Sequence, residues 1–258
     1  LLVRHGAGLL LIHLDASDKS HQTSLGVPTV SACWSPDGTC VWGITEDERV
    51  ISWQLPDLKE RTQWNYQPPS STKGRVGLSS LAAGGQWVVA GTRAGALLFM
   101  RAADGQFDHA ALATKPVTAV ALSPDEKVAV CGTKCGGLDL VRVQDGQVLT
   151  QVKAHAEMIT EIAFHPSGDY FATNSRDRNV VLWRLGPSSI TELMRFSSPS
   201  GQAASAIRYS SDGQSLGILI AQERAVRVWD LRRLHQELRT LGLDWDAGSD
   251  GPEPTPKP

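Results

Sequence analysis

The sequence holds only four cysteines, and none sits in a CxxC pair with a second pair or with histidines at zinc spacing. A disulfide framework or a zinc module is therefore excluded as what organises a chain of 258 residues. Long apolar runs are equally scarce. Stretches such as Leu9–Ile12 are far too short to cross a bilayer, so no membrane insertion by this segment is expected. Charge of one sign is lacking too: 25 Lys and Arg stand against 27 Asp and Glu. No global field then draws the chain to nucleic acid or to anionic lipid. The start at Leu1 shows none of the charged, apolar and small-residue regions of a secretory signal, and the expected compartment is cytoplasmic. Catalytic signatures are absent as well. There is no GxSxG elbow, no HExxH, no phosphate loop ending in Gly-Lys-Ser/Thr and no kinase catalytic loop. Gly132, Gly136 and Gly137 sit in a strand-to-strand turn and do not precede a helix. The expectation is a non-enzyme with no cofactor and no metal.

What the chain has in quantity is punctuation, with 24 glycines and 14 prolines. One turn recurs five times: Ser35-Pro36-Asp37-Gly38, a worn Ala82-Ala83-Gly84-Gly85, Ser123-Pro124-Asp125-Glu126, His165-Pro166-Ser167-Gly168 and Ser210-Ser211-Asp212-Gly213. Their spacing of 41 to 47 residues is that of propeller blades. Upstream of each turn lies a short alternating run, such as 118–122 or 159–164, and downstream a more uniformly apolar one, such as 128–131 or 170–173. A third strand follows in each repeat: 50–55, 96–100, 138–143, 180–185 and 225–231. More polar fourth segments lie at 61–66, 147–152 and 190–196. The pattern predicts four-stranded antiparallel meanders.

With that layout the chain resembles the WD40-repeat family. Segment 226–231, VRVWDL, carries the closing Trp-Asp pair, and His155, Ser175, Asp177 and Trp183 match the family's His, Ser/Thr, Asp and Trp positions. The resemblance implies that these four side chains form a hydrogen-bonded structural set within a blade. Asp47 is the counterpart of Asp177 in the first full repeat, whereas Ala94, Cys135 and Glu223 stand there in the others. The expected fold is all-β, a WD40-type propeller over 1–231 with five nearly complete blades, part of a sixth, and a short C-terminal helix. Repeats are placed near 28–66, 74–112, 115–152, 155–196 and 201–231, with 1–25 as the end of a truncated blade. Leucines 231, 234, 238 and 241 at helical spacing predict an amphipathic helix over 232–246, and the Pro-, Gly- and acid-rich 247–258 is expected to be disordered. The terminal phrase is similar to that of planctomycete-type bacterial WD-repeat proteins, often fused to serine/threonine kinase or other signalling domains. The incomplete first blade leads to the expectation that the chain is the C-terminal piece of a longer protein.

Candidate sites follow from the repeat columns. A hydroxyl recurs at Thr45, Thr92, Thr133 and Ser175, where it is expected to satisfy the turn backbone. The next residue reads Glu46, Arg93, Lys134, Arg176 and Gln222, and Arg178 and Arg224 share the same turns. On a propeller these turns face one rim, so the basic members form a candidate surface for a protein or peptide that is acidic or phosphorylated. Trp34, Trp42, Trp53 and Trp87 are expected to pack between blades or along strand edges, and Trp64, in an outer strand segment, is the better candidate for an exposed contact. Cys33 and Cys40 lie on adjacent strands and Cys131 and Cys135 bracket a strand end, where a disulfide or a shared metal is the alternative, but free small core side chains are the expectation. A propeller hydrolase or lactonase with a central metal is the second reading, and a passive spacer the third.

Overall fold

The computed structural model describes residues 2–5, 8–14, 20–25, 27–65, 77–113, 115–197 and 201–240. A leading sheet holds β1 (Leu2–His5), β2 (Gly8–Leu14) and β3 (Ser20–Leu25) in that order. Blade one is β4 (Thr29–Trp34), β5 (Cys40–Thr45), β6 (Arg49–Gln54) and β7 (Lys59–Asn65). Blade two is β8 (Leu78–Ala83), β9 (Trp87–Thr92), β10 (Ala96–Arg101) and β11 (Phe107–Leu112). Blade three is β12 (Val117–Leu122), β13 (Val128–Thr133), β14 (Gly137–Arg142) and β15 (Val148–Lys153). Blade four is β16 (Ile159–Phe164), β17 (Tyr170–Ser175), β18 (Asn179–Leu185) and β19 (Ile190–Ser197). Blade five has three strands, β20 (Ala206–Tyr209), β21 (Ser215–Ile220) and β22 (Ala225–Asp230), and runs directly into helix α1 (Leu231–Thr240). Every neighbouring pair within these sheets is antiparallel. The fold is a β-propeller with one short helix. Strand β1 adds a pairing that the sequence reading of 1–25 did not contain, and positions 241–258 lie outside the described residues.

Inner strands β4, β8, β12, β16 and β20 all border one central channel of about 520 Å³. In blades one to four the second and third strands are mostly buried on both faces, whereas β22 of blade five alternates between half-buried and exposed; the fourth strands are mostly exposed or half-buried. The cores accordingly lie between blades. Phe99 and Val89 of blade two share one with Val117 and Cys131 of blade three, and Phe171 and Trp183 of blade four share the next with Leu138 and Leu140.

The seams between blades are built by a recurring defect. Each complete blade has a register shift near the start of its inner strand, at Thr29/Ser31, Leu78/Ser80, Val117/Ala119 and Ile159/Glu161. A bulge re-aims the extra residue. In blades two and three that residue is Ser79 or Thr118, whose hydroxyl crosses the seam to the Val117 carbonyl (2.8 Å) or the Ile159 carbonyl (2.6 Å). Blade four differs. Where blades two and three have Gly91 and Gly132, which leave room for Val117 and Ile159, it has Asn174 facing the smaller Ala204. A Cβ at Gly132 would stand 2.5 Å from Ile159 Cγ2, whereas the Asn174 amide donates to the Ala204 carbonyl at 2.7 Å.

Candidate functional site

Four blades turn from second to third strand through the recurrent hydroxyl. Thr92 and Thr133 accept the backbone N–H four residues on, from Ala96 and Gly137 (2.9 Å each), and Thr45 accepts that of Arg49 at 3.1 Å. Ser175 departs from the pattern: it accepts the Asp177 N–H at 3.1 Å and donates to the Glu157 carbonyl at 3.2 Å. The turn is also held to the strand entry. The backbone N–H groups of Glu46, Arg93, Lys134 and Arg176 donate to the carbonyls of Pro28, Gly77, Pro116 and Met158. These turns and the connections between blades therefore lie on one rim.

Around that rim Glu46, Arg93, Lys134, Arg176, Arg178, Gln222 and Arg224 are all exposed. Their charges are not evenly distributed. Blade one turns through Glu46, Asp47 and Glu48, whereas blades two to five present Arg93, Lys134, Arg176 with Arg178, and Arg224. The backbone at two of these positions is informative. The third residue after the hydroxyl column is left-handed in every blade, and blades two and three use glycine there, Gly95 and Gly136. Blades one, four and five instead hold Glu48 at φ 66°, Arg178 at φ 69° and Arg224 at φ 52°. A side chain in that region costs about 1 kcal/mol relative to glycine. Arg178 also reaches the Gly201 carbonyl at 3.4 Å, which spans the seam toward blade five.

The blade-four set is a buried polar relay, but its hydroxyl is Thr173. Trp183 Nε1 donates to Thr173 Oγ1 at 2.9 Å, and the same oxygen lies 2.8 Å from His155 Nε2. His155 Nδ1 faces both Asp177 oxygens at 3.0 and 3.1 Å. The Asp177 carboxylate can only accept, so the imidazole proton sits on Nδ1, and the bare Nε2 accepts the Thr173 proton while the same hydroxyl oxygen accepts from the indole. Burial holds His155 below its ordinary pKa against the pull of Asp177. Burial would raise Asp177, but the N–H groups of Ala156 and Asn179, with His155, outweigh it and hold the carboxyl low. Ser175 stands beside the relay, tied to backbone. The set is enclosed, offers no reacting geometry, and fastens the entry of the inner strand to the turn after the second.

Several expectations change. The worn turn of blade two is not at Ala82–Gly85: β8 runs through Ala83, and Gly84 closes on the Trp87 carbonyl at 2.7 Å, two residues tighter than the Ser35-to-Cys40 closure of blade one. In the wider turns the serine accepts the N–H of Cys40, Val128 or Ser215 (2.9–3.1 Å). Blade two has no such serine, and blade three supplies the cap. Glu126 accepts the N–H groups of Gly85 (2.6 Å), Gln86 (3.0 Å) and Trp87 (2.9 Å). It does so from a left-handed position, φ 57°, where other repeats have glycine. Trp42, Trp53 and Trp87 are buried as packing residues, whereas Trp34 borders the channel at 36% exposure. Trp64 is half-buried and stacked on Phe107 at 6.0 Å. All four cysteines are free, and burial pushes the Cys33 thiol up to about 12. In the channel, Glu161 pairs with Arg208. Among the described residues no three His, Cys, Asp or Glu side chains lie close enough to hold a metal ion.

Residues 146–184 match the family described as WD domain, G-beta repeat. That stretch contains the whole relay. The chain is 28% identical over 120 residues to the target of rapamycin complex subunit wat1 of Schizosaccharomyces pombe, covering 46% of this chain and 37% of that protein. It is 24% identical over 166 residues to the protein TEX1 of Saccharomyces cerevisiae, covering 59% and 39%. It is 31% identical over 70 residues to the telomerase Cajal body protein 1 of Bos taurus, covering 27% and 13%. The chain thus spans less than two fifths of the length of these relatives.

Proposed function

We propose that the chain is a non-catalytic WD-repeat scaffold whose basic rim binds acidic or phosphorylated peptide segments of partner proteins. The observation that carries this reading is the pair Arg178 and Arg224. Both hold a left-handed backbone that glycine occupies in blades two and three and Glu48 in blade one, and basic side chains kept there against a backbone penalty support use of those side chains. With Arg93, Lys134 and Arg176 they give the rim guanidinium and ammonium donors suited to carboxylate and phosphate oxygens. The mechanism is presentation: blades cross-tied by hydroxyls and Asn174 hold these donors in a fixed array. The enzyme reading draws no support from the channel, where Glu161 is already engaged by Arg208. The same proposal includes a cytoplasmic location and, from the terminal phrase at 231–246, a larger bacterial protein with a signalling domain such as a kinase upstream. No helix among the described residues is long and apolar enough to cross a membrane.

The test is a fluorescence titration with a doubly phosphorylated peptide and its unphosphorylated form. Combined charge reversal at Arg93, Lys134 and Arg176 is expected to weaken phosphopeptide binding by about tenfold or more, as expected where several charge-assisted bonds are lost. Unchanged affinity overturns the rim as the binding surface. Arg178→Gly separates use from architecture, because it relieves the left-handed backbone and so raises stability while lowering affinity.

A further inference from the structure

In blades one to four the third strand pairs on one side with the second strand and on the other with a fourth, β7, β11, β15 or β19. Blade five stops at β22, which among the described residues pairs with β21 alone. The Leu231 N–H donates to the Gln214 carbonyl, so alternation turns the backbone of Arg227 and Trp229 toward β21 and leaves the N–H and C=O groups of Val226 and Val228 on the open edge. Their side chains are uncovered as well. Val226 and Val228 are 65% and 66% exposed and adjoin the exposed Leu219, whereas Val180 and Leu182, which precede Trp183 as these precede Trp229, are buried in the core shared with blade five. On the other face of the edge lies an apolar hollow of about 30 Å³, bordered by Val180, Phe196, Ile218, Ile220 and Trp229.

We propose that the edge of β22 is a docking site for an extended segment of a partner protein, which adds to blade five as an antiparallel fourth strand. The four complete blades supply the pattern of side chains that this place accepts. Opposite the third-strand counterparts of Val226 stand Trp64, Ala111, Val152 and Phe196, apolar in every case. The segment therefore sets an apolar side chain against Val226, where it extends the face of Leu219, Val226 and Val228. The residue before it, opposite Arg227, turns to the other face and meets the hollow beside Phe196. Antiparallel pairing brings the C-terminal end of the segment to Arg224, whose side chain is exposed, while Arg227 is already held by Glu223 at 2.9 Å. Charge complementarity selects an acidic residue at that end. The chain's own tail is a poor occupant: α1 takes it about 15 Å beyond β22, and 247–258 is too rich in proline and glycine to form a strand.

The full chain is titrated with a labelled nine-residue peptide of Thr and Val that carries a central Phe and two Asp at its C-terminal end. Methyl groups on the peptide nitrogens that face β22 are expected to weaken binding by about tenfold or more, and the same groups one residue out of step to leave it unchanged. Amide exchange at Val226 and Val228 slows on binding, whereas Arg227 and Trp229, bonded to β21, keep their rates. The double variant Val226→Lys, Val228→Lys weakens the peptide by about tenfold or more with the melting temperature unchanged, because both side chains are exposed. Arg224→Glu lowers affinity for the Asp-ended peptide and not for an Asn-ended one. Charge reversal at Arg93, Lys134 and Arg176 leaves this binding unaltered, so the rim and the edge fail separately. Absence of binding, equal loss from both methylation patterns, or unchanged exchange at Val226 and Val228 overturns the proposal. Two other occupants also overturn it. Concentration-dependent dimerisation abolished by Val226→Lys identifies a second copy, and a gain in peptide affinity of about tenfold on Trp245→Ala identifies the chain's own tail.

Discussion

Blades one and four both close their third strand on tryptophan, Trp53 and Trp183, and both turn through an aspartate, Asp47 and Asp177, yet they are built differently. In blade four the indole enters a polar chain through Thr173 to His155 and Asp177. In blade one the position of Thr173 is Gly43, and the Trp53 ring lies over it so closely that a Cβ there would stand 2.7 Å from Cζ3. Asp47 instead accepts from Thr45 and pairs with Arg49 at 2.7 Å. A single strand residue therefore decides whether a tryptophan is hydrogen-bonded across the blade or packed flat against its own sheet. Shared end residues do not imply a shared interior.

The largest test of this contrast is Thr173→Val, which strands the Trp183 indole N–H and His155 Nε2 in the core. A loss of about 2–5 kcal/mol in denaturant unfolding is expected, because two buried groups lose their partner. Gly43→Thr comes next: if the blade-one site could accept a relay the change would be neutral, but the overlap with Trp53 predicts a loss of about 1–3 kcal/mol by the same measurement. Glu126→Gly relieves a left-handed backbone in blade three and uncaps the turn of blade two, and a net loss of about 1–2 kcal/mol is expected, with accelerated amide exchange at Gly85 and Trp87. The smallest effect is that of pH. Because His155 is held below its ordinary value of 6.5, its contribution is complete above that pH and is lost as pH falls through the lower folded value. Asp177, held below 3.8, adds a second loss in more acid solution. Melting temperatures from pH 7 to 5 should therefore decline less in His155→Gln than in the natural chain.

The architecture was legible in the sequence because its signals recur. Turn residues at blade spacing, alternating runs and the hydroxyl column at Thr45, Thr92 and Thr133 each repeat, and the structure puts those hydroxyls on the turn backbone. Thr173 escaped the same reasoning for the same cause. Its column reads Gly43, Ala90, Cys131 and Thr173, so nothing recurs, whereas Ser175 belongs to the recurrent column and drew the assignment. Glu126 escaped because its partners lie about forty residues away in another blade. A signal was present there: a glutamate where three other turns have glycine, one repeat after a turn that had lost its serine. The exposure of Val226 and Val228 was not legible, since an alternating strand reads alike whether its apolar face is covered or open. The basic column was visible in the sequence; the left-handed backbone beneath Arg178 and Arg224 was not.

The reach of Glu126 into the preceding blade bears on how such a chain can be rearranged. A repeat array is commonly treated as interchangeable parts, and blades one and five, whose turns hold their own serine and aspartate, fit that treatment. Blades two and three do not. Removing blade three would leave the short turn of blade two with three uncapped amides, and copying blade two alone would copy a defect without its remedy. The two blades form one heritable unit, and recombination or design that cuts the array should cut at other seams.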